Sequence, residues 1–296
     1  MCTLQIINHH KLEILQKGHA GSLIVILTGM GCSFDEWHEV TNELSRTNQI
    51  LMFHRLGLGR SELGDEVRNT YATVKDLFEL LNSLKVKKPI YIVAHSYGGL
   101  CAQHFAKVHP ERVAGMVLVD STSVDLKDLD ELDLPTINKE TDETWINKCL
   151  EYASKDREQL TSIIQPFLLE KHKQFPASVQ RRLLEFQTTP SLYEAMASEI
   201  KNWKKDASII KRLKGFPNVP LVVIGRDKEY TIISETEVGI PKWESKKFEE
   251  KWEELIGQQA TLSTKGELRF AKGSGHSIFL DRPDIVIDSI QKVIGE

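Results

Sequence analysis

Residues 90–99 read Ile-Tyr-Ile-Val-Ala-His-Ser-Tyr-Gly-Gly, an apolar run that passes through Ser96 into a pair of glycines. A serine hydroxyl is a weak nucleophile until a base takes its proton and donors wait for the developing oxyanion. A tight, strained turn from a strand into a helix projects such a hydroxyl above a sheet, and it needs small residues two positions before and after. Ala94 and Gly98 occupy those positions. The helix that follows, with Leu100, Phe105 and Val108 on its apolar face, brings backbone N–H groups and a positive dipole end to the same place. The Tyr97 N–H is therefore a candidate oxyanion donor. A serine at this position can also simply cap a helix, so the chemistry needs the further parts below.

The candidate base is His276, in residues 272–283, which read Lys-Gly-Ser-Gly-His-Ser-Ile-Phe-Leu-Asp-Arg-Pro. Glycines at 273 and 275 suit a loop that carries an imidazole from the far end of the chain to the serine. His9, His10, His19, His38, His104, His109 and His172 read as surface or capping residues, whereas His95 belongs to the elbow and His54 lines its neighbourhood. A second oxyanion donor is expected from Leu-Thr-Gly-Met-Gly at 27–31, as the Met30 N–H, with glycines allowing close backbone approach. Residues 54–61 contain glycines at 57 and 59, but the spacing is wrong for a dinucleotide fingerprint. For the acid that orients His276, Asp120 ends the apolar run 116–119, and Asp227 follows the run 221–224. Both obey the chain order serine, acid, histidine.

Short apolar runs at Leu23–Leu27, 50–53, 90–94, 116–119 and 221–224 read as strands buried on both faces of a parallel sheet. A leading hairpin is expected over 4–7 and 12–15, and a last strand over 267–271. The helical periodicity of 71–84 and the alternation of strand with helix imply an α/β, doubly wound, mostly parallel sheet. From 124 to 214 the strand runs disappear and a charged, Leu-rich helical segment replaces them. It reads as a helical cap over a core formed by 1–123 and 215–296. The stretch 242–256 reads as a solvated helix laced with i,i+4 ion pairs, and 283–294 as the closing helix.

The 296 residues are 41% hydrophobic and 27% charged, with a formal net charge of −4, which provides no basic field for nucleic acid. The four cysteines, Cys2, Cys32, Cys101 and Cys149, lack zinc-ligand spacing and read as reduced thiols. Neither a metal nor an organic cofactor is expected. No leader-like or membrane-spanning apolar stretch is read, so the expected location is the cytoplasm and the expected partner a small molecule.

Elbow, oxyanion loop, closing histidine and helical insertion together resemble the α/β-hydrolase superfamily, and residues 93–99, 114–121 and 273–286 resemble its bacterial serine esterases. The resemblance implies about eight strands, a cap inserted after the sixth, and hydrolysis of carboxylic esters through an acyl-enzyme. In most members the acid lies three positions beyond a glycine after the insertion, whereas Asp227 is two beyond Gly225. In a minority, including some haloalkane dehalogenases, the acid sits at the preceding strand tip, where Asp120 falls, and Asp120 is favoured here. A dehalogenase itself would need an aspartate in place of Ser96. Cleavage of peptides, lactones or amides by the same residues remains open; an aminopeptidase would need pocket acids such as Glu140, Asp142 or Glu143. A non-catalytic ligand receptor on the same scaffold is the alternative of a different class.

Overall fold

The structure, a computed structural model, describes residues 2–296. Eight strands occur among the described residues: β1 (Cys2–Ile7), β2 (His10–Lys17), β3 (Leu23–Leu27), β4 (Gln49–Phe53), β5 (Ile90–His95), β6 (Val113–Val119), β7 (Leu221–Arg226) and β8 (Gly266–Ala271). The longer helices are α1 (His38–Leu44), α2 (Thr70–Ser83), α3 (Tyr97–Val108), α4 (Asp142–Ala153), α5 (Arg157–Ile164), α6 (Ala177–Gln187), α7 (Pro190–Arg212), α8 (Lys228–Glu237), α9 (Lys242–Gln259), α10 (Ile278–Asp281) and α11 (Pro283–Gly295). Between β6 and β7 every regular element is helical, and the strands are mostly parallel, as the sequence pattern expects.

Two compact units divide the chain. The first comprises Met1–Leu23, Met30–Lys88 and Asp142–Trp203. In it β1 pairs with β2 and β2 with β4, both antiparallel. The helices α4 to α6 and most of α7 belong to the same unit, tied by buried charge. Arg55 meets Glu199 of α7 at 2.6 and 3.1 Å. Arg182 of α6 reaches both Glu13 and Asp35 at 2.9 Å.

The second unit comprises Ile24–Gly29, Pro89–Thr141 and Lys204–Glu296. Its strands run in the order β3-β5-β6-β7-β8, every neighbouring pair parallel. The central strands β5, β6 and β7 are buried almost throughout, because parallel strands with both faces covered take Val, Ile and Leu at consecutive positions. A parallel arrangement sends every strand's C-terminal end to one edge, which is where Ser96, Asp120 and Arg226 emerge.

One expectation changes. The stretch 242–256 does not read correctly as a solvated helix: in α9 Glu244, Ser245, Glu249, Leu255, Ile256 and Gln259 are buried, although the surface pair Lys246–Glu250 is present at 3.8 Å. Alternating charges conceal one inward face, whose carboxylates have partners on other elements. Among the described residues no helix is long and apolar enough to cross a membrane.

Candidate active site

The turn from β5 into α3 is strained where the sequence requires it. Ser96 has φ +52° and ψ −125°, a conformation that an L-residue adopts only when its surroundings impose it, and its side chain makes no capping bond. The surroundings are rigid backbone: Ser96 N–H donates to Val119 O at 3.3 Å, and its carbonyl accepts from Gly99 and Thr122 at 2.8 and 3.1 Å. Gly98 is compulsory, because an added Cβ would lie 2.4 Å from Leu27 O and 2.7 Å from Thr28 O. The strain that projects the hydroxyl is therefore held by packing of the elbow on the end of β3. Tyr97 opens α3, so its amide belongs to the first turn, beyond reach of the intrahelical ladder.

His276 lies on the loop between β8 and α10, and several bonds fix that loop. Gly273 N–H donates to Asp227 at 2.8 Å, Asp227 N–H to Ser274 O at 3.0 Å, and Gly275 N–H to Asp281 at 3.0 Å. His95 Nε2 lies 3.0 Å from the His276 carbonyl. Burial, reinforced by the nearby His276, lowers the His95 pKa to about 3, so this ring stays neutral and donates to that carbonyl.

The His276 ring is turned by Asp120, whose Oδ2 is 2.6 Å from Nδ1. Asp120 has φ +40° and is fully buried. Trp252 Nε1 donates to it at 2.9 Å, Arg226 Nη1 at 3.0 Å and the Arg226 backbone N–H at 3.3 Å. Burial alone would raise its pKa. The Arg226 charge and the His276 and Trp252 hydrogen bonds outweigh burial and hold it well below the usual carboxylate range. Arg226 in turn ion-pairs with the buried Glu249 and lies over the Trp252 ring at 4.5 Å from its centroid. An ionised Asp120 can only accept, so Nδ1 of a neutral His276 carries the proton and Nε2 presents a lone pair. Nε2 has no protein hydrogen-bond partner among the described residues, nor does the Ser96 hydroxyl. The His276 side chain is 42% exposed.

Asp227 is engaged differently. Its carboxylate caps α8 through the Glu229 and Tyr230 amides at 3.0 and 3.2 Å and receives the Gly273 N–H. It fastens the loop that carries His276 rather than touching the ring. Met30 belongs to the first unit, where its side chain packs beside Cys149, Ala197 and Ile200. His54 is buried in that unit, with Nδ1 2.8 Å from Glu13 and Nε2 accepting from Phe34 N–H at 3.1 Å. His104 and His172 are buried, not surface residues as their sequence context suggested. Glu140 and Glu143 are exposed, while Asp142 receives the Trp203 indole N–H at 2.9 Å.

Sequence reasoning missed Arg226, Glu249 and Trp252. The one local signal was an arginine that directly continues the apolar run of β7. No cluster of three or more metal-ligating side chains occurs among the described residues.

The family model described as alpha/beta hydrolase fold matches residues 22–202. The uncharacterised protein YqjL of Bacillus subtilis is 25% identical over 92% of this chain and 83% of its own length. A cis-3-alkyl-4-alkyloxetan-2-one decarboxylase of Shewanella oneidensis is 22% identical over 98% of this chain and 86% of its own. Among solved structures, a thermophilic esterase from Thermogutta terrifontis superposes with a TM-score of 0.64 at 17% identity, covering 99% of this chain and 97% of that one.

Proposed function

Since the chain belongs to the α/β-hydrolase family, whose model spans residues 22–202, we propose that it is a serine hydrolase cleaving carboxylic esters with Ser96, His276 and Asp120. The observation that carries this reading is the 2.6 Å contact of Asp120 with His276 Nδ1, which leaves Nε2 as the free lone pair in a unit that also holds the strained Ser96. His276 Nε2 removes the Ser96 proton as Oγ attacks the ester carbonyl. The backbone N–H groups of Met30 and Tyr97 stabilise the tetrahedral oxyanion. His276 then returns the proton to the departing alcohol, and a second cycle with water releases the acid from the acyl-enzyme. Asp120 stays ionised throughout and stabilises the imidazolium. No hydrogen bond joins Ser96 to His276 without substrate; such bonds commonly tighten only in the Michaelis complex.

In this reading residues 124–214 act as a cap that selects the acyl or alcohol group. A relative that acts on an oxetan-2-one, a cyclic ester, supports extending the substrate class to lactones. Hydrolysis of a p-nitrophenyl ester series by wild type and by Ser96→Ala tests the proposal. Turnover should fall by orders of magnitude in the variant, and near-full activity in Ser96→Ala would refute it.

A further inference from the structure

The strand β8 ends the parallel run of the second unit, and among the described residues no strand lies on its outer side. Its register with β7 sets Leu221 against Gly266, and Leu221 N–H donates to Lys265 O at 3.4 Å. Along a strand the backbone groups of successive residues turn to opposite sides. The amides and carbonyls of 265, 267, 269 and 271 therefore face β7, while those of Leu268 and Phe270 face outward. The Leu268 and Phe270 side chains are 40% and 41% exposed. They lie on the sheet face that carries α9, beside Gly257 and Gly225. Glu267 and Arg269 lie on the opposite face. They meet each other at 2.6 Å, Arg269 donates to Ser289 of α11 at 3.1 Å, and Lys292 of α11 ion-pairs with Glu267.

An open edge with outward backbone groups and part-exposed apolar side chains is a template for another strand. Charges on such an edge ordinarily repel a newcomer, but here their order makes one pairing attractive. When β8 pairs antiparallel with a second β8, only residues with outward backbone groups exchange hydrogen bonds. With the two-fold axis at Leu268, that residue opposes its own copy, and Glu267 opposes Arg269 of the partner subunit on both sides of the axis. Those charges then occupy the non-hydrogen-bonded positions, where opposed side chains come closest. A slip of two residues sets Glu267 against a second glutamate or Arg269 against a second arginine, and like charges directly opposite are unfavourable. We propose that two copies of this chain associate through β8, antiparallel and centred on Leu268, in an isologous interface. The Glu-Leu-Arg order is complementary to itself in that register, which makes a second copy the occupant rather than an unrelated peptide.

Sedimentation equilibrium of the full chain over a micromolar concentration series tests this. Wild type should show the mass of two 33.7 kDa chains. Leu268→Lys places like charges at the axis and should sediment as a single chain. Its circular-dichroism spectrum should match wild type, because the residue is part-exposed in the single chain. Glu267→Arg and Arg269→Glu each set like charges opposite one another twice, and each should raise the dissociation constant at least about tenfold. The double variant Glu267→Arg/Arg269→Glu restores opposite charges in the same register and should recover association. A single-chain mass for wild type throughout the series, undiminished association in Leu268→Lys, or a double variant as weak as the single ones would overturn the inference.

Discussion

The chain contains two carboxylate–imidazole pairs of nearly equal length in different surroundings. Glu13 meets His54 Nδ1 at 2.8 Å, and Asp120 meets His276 Nδ1 at 2.6 Å. The difference lies in the other nitrogen. His54 Nε2 accepts from Phe34 N–H, and its ring stacks on Phe34 at 3.7 Å between centroids. Both of its nitrogens are used and it is 1% exposed, so it can neither give nor take a proton without breaking the fold. His276 has a single partner and an accessible ring. A buried carboxylate beside a histidine therefore marks chemistry only when the second nitrogen is left for something outside the protein.

If the two pairs differ in this way, equivalent substitutions should separate them. Asp120→Asn should lower kcat by about 10⁴-fold with little change in KM, since the amide favours the wrong imidazole tautomer. Glu13→Gln should leave kcat within a few-fold and instead cost about 3 kcal/mol of stability by denaturant titration, because Arg182 and the polar cluster at Asp35 lose a buried partner. A kinetic collapse in Glu13→Gln would break the comparison.

The same pair predicts an acid sensitivity. Burial would raise the Glu13 pKa, but the His54 bond and charge, the Arg60 amide and Arg182 outweigh it and hold Glu13 at about 2. A depressed carboxylate stabilises the fold above the ordinary glutamate range, and that stabilisation is lost as the pH falls from about 4.5 toward about 2. The acid limb of the stability profile should therefore be shallower in Glu13→Gln than in wild type.

Smaller effects concern the residues that support Asp120 and the loop. Glu249→Gln leaves the Arg226 charge to Asp120 alone and should lower kcat about tenfold, with KM near wild type, in steady-state assays. Asp227→Asn retains a capping oxygen for α8. It should lose less than about tenfold in kcat, far less than Asp120→Asn.

Much of this arrangement was legible in the chain because local physics dictates it. A strand that runs into a serine flanked by Ala94 and Gly98 has few other uses for such small residues, and a glycine-bracketed histidine before a closing helix is similarly constrained. Sequence favoured Asp120 over Asp227 without excluding the second, because both follow strands that reach the same sheet edge. Only their bonds distinguish them: Asp120 on an imidazole, Asp227 on backbone amides. Glu249 was hidden by its own helix, whose alternating Lys and Glu residues mask one buried carboxylate paired with Arg226, twenty-three positions away. Trp252 lies 132 positions from the aspartate it touches, beyond any local pattern. His172 gave no signal, since a buried polar group without a bond is recognised only when its surroundings are known.

In the proposed reaction Ser96 is the group that becomes acylated. Treating the protein with a fluorophosphonate and mapping the adduct by peptide mass spectrometry tests it most directly. One adduct on Ser96 is expected in wild type, none in Ser96→Ala, and slow labelling in His276→Ala. An adduct on another residue, or ester hydrolysis that persists while Ser96 stays unmodified, would contradict it.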